Sequence, residues 1–150
     1  MAKKFSFSLQ KLLSYKEQLF DIEQTILNDM RAVLHGFEQE LLHLQREHIR
    51  RSEEFNQKML DGTTPAEMER YKNYMMMIDL NIQHKEKQIE LQKLAIDKQM
   101  DKVRACKIEI STIEKLREKK LEEYRYNENK AEELFIEEFV SNTKAASYSA

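Results

Sequence analysis

The side chains that most often carry chemistry in proteins are poorly spaced for it in this sequence. His43 and His48 lie five residues apart, whereas two metal ligands on one helical face need a spacing of four. His35 and His84 are isolated from other candidate ligands. The single cysteine, Cys106, falls on an apolar helical stripe, where a thiol fills space more often than it reacts. We therefore expect no catalytic residue, no metal site and no cofactor.

Charged residues are abundant, but their pattern is not that of a catalytic or nucleic-acid-binding protein. Asp, Glu, Lys and Arg make up 35% of the 150 residues, and the chain has two glycines, too few for a phosphate-binding loop. Carboxylate pairs need a cleft that shifts their pKa values, and the charges here are typical of solvated helical faces. Acidic and basic residues are interspersed, with a net charge of −2, so no basic face stands out. We predict that the protein is not an enzyme and binds no nucleic acid.

The sequence also shows no segment that would insert into a membrane. A membrane-spanning helix needs roughly 18 consecutive apolar residues, and no such run occurs. The basic residues near the start are not followed by the apolar stretch of a signal peptide. We therefore expect a cytoplasmic protein.

Long helices must position these residues, because glycine and proline, which make turns, are nearly absent. One segment, residues 61–67, contains both a stop and a start signal. Gly62 can close a helix in a left-handed conformation. Thr64, Pro65 and Glu67 are typical of an N-cap, a first helical position and a capping box. The segment predicts the turn of a helical hairpin.

Ser8 is a candidate N-cap for the first helix. The predicted organisation is an N-terminal arm at 1–8, a helical hairpin at 9–140 and a disordered tail at 141–150. Within the hairpin, helix one covers about 9–60, the turn 61–64 and helix two about 65–140.

Apolar residues in both helices recur alternately three and four positions apart, which is the spacing of a coiled-coil seam. The predicted seam consists of Leu13, Phe20, Leu27, Leu34, Leu41, Ile82, Ile89, Ile96, Val103 and Ile110. Polar residues interrupt the stripe, where they weaken packing and help to fix the register; they include Lys16, Glu23, His48, Arg51, Lys85, Gln92 and Gln99. The predicted fold class is all-α, a long antiparallel two-helix coiled-coil hairpin with a C-terminal helical overhang beyond about Lys120.

Several apolar residues near the turn fall outside the predicted seam and could contact a partner. Methionine suits such a surface because its flexible side chain adapts to different shapes. The alternative is that these are the scattered exposed apolar residues of any protein surface, and both interpretations fit the pattern. We call this group the methionine patch: Leu42, Ile49, Tyr74, Met76, Met77 and Leu80.

Motifs at both ends of the hairpin resemble those of a known family. Residues 5–17 read Phe-Ser-Phe-Ser-Leu-Gln-Lys-Leu-Leu-Ser-Tyr-Lys-Glu, and residues 114–120 read Glu-Lys-Leu-Arg-Glu-Lys-Lys. Tyr124 and an acidic stretch follow the second motif, and Tyr71 and Tyr74 stand near the start of helix two. Together these features resemble the flagellar export protein family FliJ over nearly the whole chain.

The resemblance implies a non-enzymatic component of the flagellar type III export apparatus, similar to the central stalk of rotary ATPases. The implied partners are the hexameric export ATPase, the cytoplasmic domain of the export gate, and export chaperones. The implied location is cytoplasmic, peripheral at the inner face of the cell membrane at the flagellar base. The methionine patch would serve the gate or the chaperones. The end expected to engage the ATPase, which we call the basic end, carries Arg117, Lys119, Lys120 and Tyr124.

Other classes of protein share parts of this pattern. A generic structural coiled coil, or the related stalk protein of an injectisome or rotary ATPase, has the same composition. The accessory region of an enzyme is a further class, disfavoured because no catalytic site is found.

Overall fold

The computed structural model describes residues 4–148 and consists of two long helices that pack against each other. Helix α1 is Gln10–Asp61, with 52 residues, and helix α2 is Pro65–Tyr148, with 84 residues. No strand occurs within the described residues. The all-α helical hairpin predicted from the sequence is confirmed.

Contacts divide the chain into two compact units. The terminal unit comprises Met1–Phe20 and Ala105–Ala150, and the turn unit comprises Asp21–Arg104. Each helix contributes residues to both units.

The turn follows the stop and start signals of the sequence. Gly62 has a φ of 104°, a region that L side chains rarely adopt. The amide of Glu67 donates to the hydroxyl of Thr64 at 3.2 Å, and the amide of Met68 donates to the Thr64 carbonyl at 3.0 Å, so Thr64 caps α2. The Glu67 carboxylate accepts a hydrogen bond from the Thr63 hydroxyl at 2.9 Å. In the predicted capping box, the Glu67 carboxylate would accept a hydrogen bond from the backbone N–H of Thr64. In the structure it accepts one from the Thr63 hydroxyl instead.

The start of α1 lies one residue after the predicted start. The amide of Gln10 donates to the carbonyl of Phe7 at 3.1 Å, forming a turn that leads into the helix. The amide of Leu13 then donates to the carbonyl of Leu9 at 2.9 Å. Residues 1–3 of the predicted arm lie outside the described part of the chain.

The end of α2 differs from the prediction, because the helix continues to Tyr148 instead of ending near residue 140. The predicted disordered tail is therefore helical over 141–148, and its last two residues lie outside the described part. Two neighbouring alanines, residues 145 and 146, favour the helix. The hydroxyl of Thr143 also donates to the carbonyl of Phe139 at 2.8 Å, one turn earlier in the helix. A hydroxyl bonded in this way does not compete with the helix for other backbone groups.

The ten predicted seam residues are all at least half-buried. In the turn unit Leu27, Ile89 and Ile96 are buried, and Ile78, a further seam position, is the most buried apolar side chain at 3% exposure. In the terminal unit Leu13 is buried. The other six are half-buried: Phe20, Leu34, Leu41, Ile82, Val103 and Ile110. A helix that packs against one neighbour can shield only a narrow stripe, so half-burial is the expected state.

The two glycines provide a matched test of the turn. We expect Gly62→Ala to lower the free energy of unfolding by about 1 kcal/mol, because a Cβ is strained at this φ although open space surrounds it. Gly36 lies inside α1, also in open space, and Gly36→Ala should raise the free energy of unfolding by about 0.5–1 kcal/mol. Urea unfolding followed by circular dichroism measures both; effects of the same sign would contradict the assigned turn.

Candidate partner-binding surfaces

Polar residues in the seam of the turn unit bond across to the opposite helix. The side-chain amide of Gln92 donates to the carbonyl of Met30 at 3.0 Å. Seven residues further along α2, the amide of Gln99, which is buried, donates to the carbonyl of Glu23 at 2.9 Å and to its carboxylate. Buried amides without such partners would destabilise the fold. These bonds therefore let two polar residues occupy the seam and tie α2 to one position along α1.

Two further polar seam residues of the turn unit, Lys85 and His48, also find partners on the other helix. Lys85 forms an ion pair with Glu40, and its ammonium lies 4.9 Å from the centre of the Phe37 ring. The Nε2 atom of His48 lies 3.2 Å from the carboxylate of Asp79. These pairs are partly exposed, so each contributes little stability by itself. Each pair forms only when the two helices are aligned in this register, so together they favour one alignment.

Glu47 is the centre of a polar cluster nearer the turn. Its carboxylate accepts hydrogen bonds from Arg50 at 2.7 Å, from the Tyr74 hydroxyl at 3.0 Å and from Arg51 at 3.2 Å. The Arg51 guanidinium also lies 5.2 Å from the centre of the Tyr74 ring. The hydrogen bond from Arg50, followed by those from Tyr74 and Arg51, lowers the pKa of Glu47 to about 2. This cluster was not predicted from the sequence, although the i, i+3 and i, i+4 spacing of Glu47 and the arginines could have indicated it.

An aromatic pair lies between this cluster and the turn. The rings of Phe55 and Tyr71 are stacked with centroids 3.7 Å apart and planes within 4° of parallel. The Tyr71 hydroxyl is 3.3 Å from the Ser52 hydroxyl. Both tyrosines near the start of α2, Tyr71 and Tyr74, are thus half-buried and hold α1 and α2 together in this unit.

The methionine patch lies on the surface of the turn unit, apart from Tyr74, whose hydroxyl is taken up by Glu47. Met76 also lines an open groove with His48, Phe55 and Met68. The exposed members of the patch are Leu42, Ile49, Met76, Met77 and Leu80.

Two further exposed leucines, Leu91 and Leu94, lie on the same outward stripe of α2 as Met77 and Leu80. Neither leucine belongs to the methionine patch predicted from the sequence, which is confined to residues near the turn. Their spacing from Met77 and Leu80 continues the alternation of three and four, which was the signal available in the sequence.

The basic end of the terminal unit is only partly exposed. Arg117, Lys119 and Lys120 are exposed, whereas Tyr124 is half-buried. The Tyr124 ring lies 5.5 Å from that of Phe5.

The hydroxyl of Tyr124 donates to the carboxylate of Glu128 at 3.1 Å. Burial, followed by this hydrogen bond, raises the pKa of Tyr124. The predicted overhang starts beyond about Lys120, but Phe5 contacts α2 at Tyr124, so the uncovered part begins later. The overhang starts later than predicted because Phe5 of the N-terminal arm is apolar and gains burial by packing along α2.

Two other features complete the terminal unit. Lys16 forms an ion pair with Glu109 at 2.7 Å, and this hydrogen bond raises the pKa of Lys16.

Beyond the residues that α1 covers, α2 carries exposed apolar side chains at Leu134, Phe135, Ile136, Phe139 and Val140.

Residues 4–148 contain no candidate metal site and no candidate membrane-spanning helix. No cluster of three or more His, Cys, Asp or Glu side chains there could hold a metal ion. Neither of the two helices, over that same range, contains a stretch long and apolar enough to cross a bilayer.

Comparison with known proteins gives a family match. The family described as "Flagellar FliJ protein" matches residues 5–147, which covers most of both units. No curated protein and no solved structure matches the chain.

The cluster around Glu47 has a testable dependence on pH. A pKa depressed from 4.5 to about 2 means that its stabilisation is complete above about pH 4.5 and is lost as the pH falls towards 2. Arg50→Met removes the largest cause, so we expect the pKa of Glu47, measured by carboxyl NMR titration, to rise by about one pH unit. Arg31→Met, an exposed change elsewhere on α1, is the control. An unchanged pKa in Arg50→Met would show that Arg50 does not hold the carboxylate.

Proposed function

The chain belongs to the FliJ family, a non-enzymatic component of flagellar protein export, and we propose that it links the export ATPase ring to the export gate. Its proposed partners are the hexameric export ATPase, the cytoplasmic domain of the gate, and export chaperones. The proposed location is peripheral, at the cytoplasmic face of the membrane at the flagellar base. The family match over residues 5–147 is the observation that carries the proposal.

We assign the methionine patch to the gate and the chaperones. Its exposed side chains are apolar and flexible, and desolvating such groups is a main source of affinity in protein interfaces. Met77 and Leu80 are each more than half exposed in the turn unit, so a partner can reach them without disturbing the seam.

The basic end is assigned to the ATPase. Arg117, Lys119 and Lys120 are exposed and none of them neutralises a charge on α1 among the described contacts, although Lys120 lies 3.5 Å from Glu123 on its own helix. Exposed cations of this kind steer association with an acidic surface and add specificity. Tyr124, a half-buried member of the proposed surface, packs on Phe5 within the terminal unit.

A generic structural coiled coil, or the stalk protein of an injectisome or rotary ATPase, is the alternative. No observation on this chain favours it over the flagellar family that the sequence matches.

The assignment of the methionine patch can be tested by charge. We expect Met77→Glu together with Leu80→Glu to weaken binding to the isolated cytoplasmic domain of the gate at least tenfold, because charged groups cannot be desolvated cheaply. Circular dichroism should be unchanged, since both residues lie outside the seam. Isothermal titration calorimetry measures the affinity, and Ile22→Glu with Ile26→Glu, two exposed residues on α1, is the control. Equal affinity of the Met77/Leu80 variant and the wild type would refute the assignment.

The basic end is tested by charge reversal. Changing Arg117, Lys119 and Lys120 to glutamate should abolish stimulation of ATP hydrolysis by the hexameric ATPase, because attraction becomes repulsion. A phosphate-release assay measures the stimulated rate.

The control for charge reversal has the same change in net charge at three exposed residues elsewhere, Arg46, Lys93 and Lys102. It should stimulate the ATPase as the wild type does. Full stimulation by the variant with Arg117, Lys119 and Lys120 reversed, or loss of stimulation in both variants, would refute the assignment of this end to the ATPase.

A further inference from the structure

A second stripe with coiled-coil spacing runs along the outward face of α2 in the turn unit. It occupies positions 77, 80, 84, 87, 91 and 94, alternately three and four apart. Four of these positions are apolar, namely Met77, Leu80, Leu91 and Leu94, and each side chain is between 52% and 63% exposed. The seam that faces α1 lies on the other side of the helix. This stripe therefore has the pattern of a helix contact, but no helix within residues 4–148 covers it.

The order of apolar and polar positions along the stripe is the same from either end. Two apolar residues stand at each end, and His84 and Lys87 stand in the middle. If two copies of the stripe lie antiparallel about this midpoint, Met77 of each copy faces Leu94 of the other. Leu80 of each copy then faces Leu91 of the other. An interface between identical subunits related by a two-fold axis requires this self-complementarity.

Charged residues beyond the apolar pairs follow the same symmetry. The antiparallel register that pairs the apolar residues places Arg70 of each copy opposite Asp101 of the other, and all these side chains are exposed. Asp101 already accepts a hydrogen bond from Arg104 at 3.3 Å on its own helix, a surface pair that leaves the carboxylate accessible. Opposite charges at both ends of an interface favour one orientation over others.

Other arrangements of two copies are less favourable. A shift of one heptad in either direction sets Lys87 against an apolar residue, Leu91 in one case and Met77 in the other. A parallel pairing in register sets Lys87 against Lys87, Arg70 against Arg70 and Asp101 against Asp101, and like charges in contact repel. Among coiled-coil registers the antiparallel one centred between His84 and Lys87 is therefore favoured.

We propose that the stripe is a self-association surface, on which a second copy of the chain docks antiparallel with Met77 against Leu94 and Leu80 against Leu91. Four half-exposed apolar side chains per copy make a small interface, below about 1,200 Å² in total, so the dimer is weak and its population depends on concentration. The second copy covers two residues of the methionine patch, so self-association and binding at the patch compete. The self-association itself does not rest on the proposed function, because it is argued from exposure, spacing and charge; the competition at the patch does.

Sedimentation equilibrium of the full chain over a wide concentration range tests the association. We expect a reversible monomer–dimer equilibrium, and Leu91→Glu with Leu94→Glu should raise its dissociation constant at least tenfold while leaving helicity unchanged. Ile22→Glu with Ile26→Glu, on an exposed face of α1, is the control and should dimerise as the wild type does. A wild type that stays monomeric at every concentration, or equal loss of the dimer in both variants, overturns the proposal.

The orientation is tested by disulfide formation between two differently substituted chains in a Cys106→Ser background. One chain carries Met77→Cys and the other carries Leu94→Cys. The antiparallel register predicts a cross-linked dimer only when the two chains are mixed, and none from either chain alone. Cross-linking of the Met77→Cys chain with itself would indicate a parallel pair and overturn the register. Absence of any cross-link, with dimers present by sedimentation, would overturn it as well.

Discussion

Two helices packed against each other can bury one narrow stripe of side chains, and the rest of this structure depends on how that stripe is filled. Leu27, Ile89 and Ile96 are buried, and most other seam residues are only half-buried. Hydrophobic stabilisation is roughly proportional to the apolar area removed from water, so a seam of this kind leaves little room for unfavourable residues. Each polar group in it must therefore find a hydrogen-bond or ion-pair partner.

The polar seam residues meet this requirement in different ways. Gln92 and Gln99 reach backbone carbonyls of α1, and Lys85 forms an ion pair with Glu40 of α1. Replacing such groups with apolar residues would often stabilise a coiled coil, but heptad repeats of apolar residues alone pack nearly as well after a slip of seven residues. The specific hydrogen bonds penalise the slip, since they would be broken by it. The seam thus gives up some stability for a single alignment of the helices.

Because the inward face is committed to the seam, the surfaces proposed for recognition lie on the outward faces. The turn unit presents flexible apolar side chains such as Met77 and Leu80, and the terminal unit presents cations such as Arg117 and Lys119. These surfaces differ in chemistry, so they suit different partners. The apolar stripe that continues to Leu94 adds a further possibility, since a face that binds a partner can also be covered by a second copy of the chain.

The sequence by itself determined the fold class, the turn and the family. Those features depend on local signals, namely a glycine where φ is positive, an N-cap threonine before a proline, and apolar residues three and four apart. Only the tertiary structure decided which polar side chains meet, such as Gln99 and Glu23, which are 76 residues apart. It also showed the contacts that Tyr74 makes with Glu47 and Tyr124 makes with Phe5. Heptad spacing shows which face of a helix is apolar, but the partner of a long polar side chain depends on its direction across the opposing helix, which no local pattern contains.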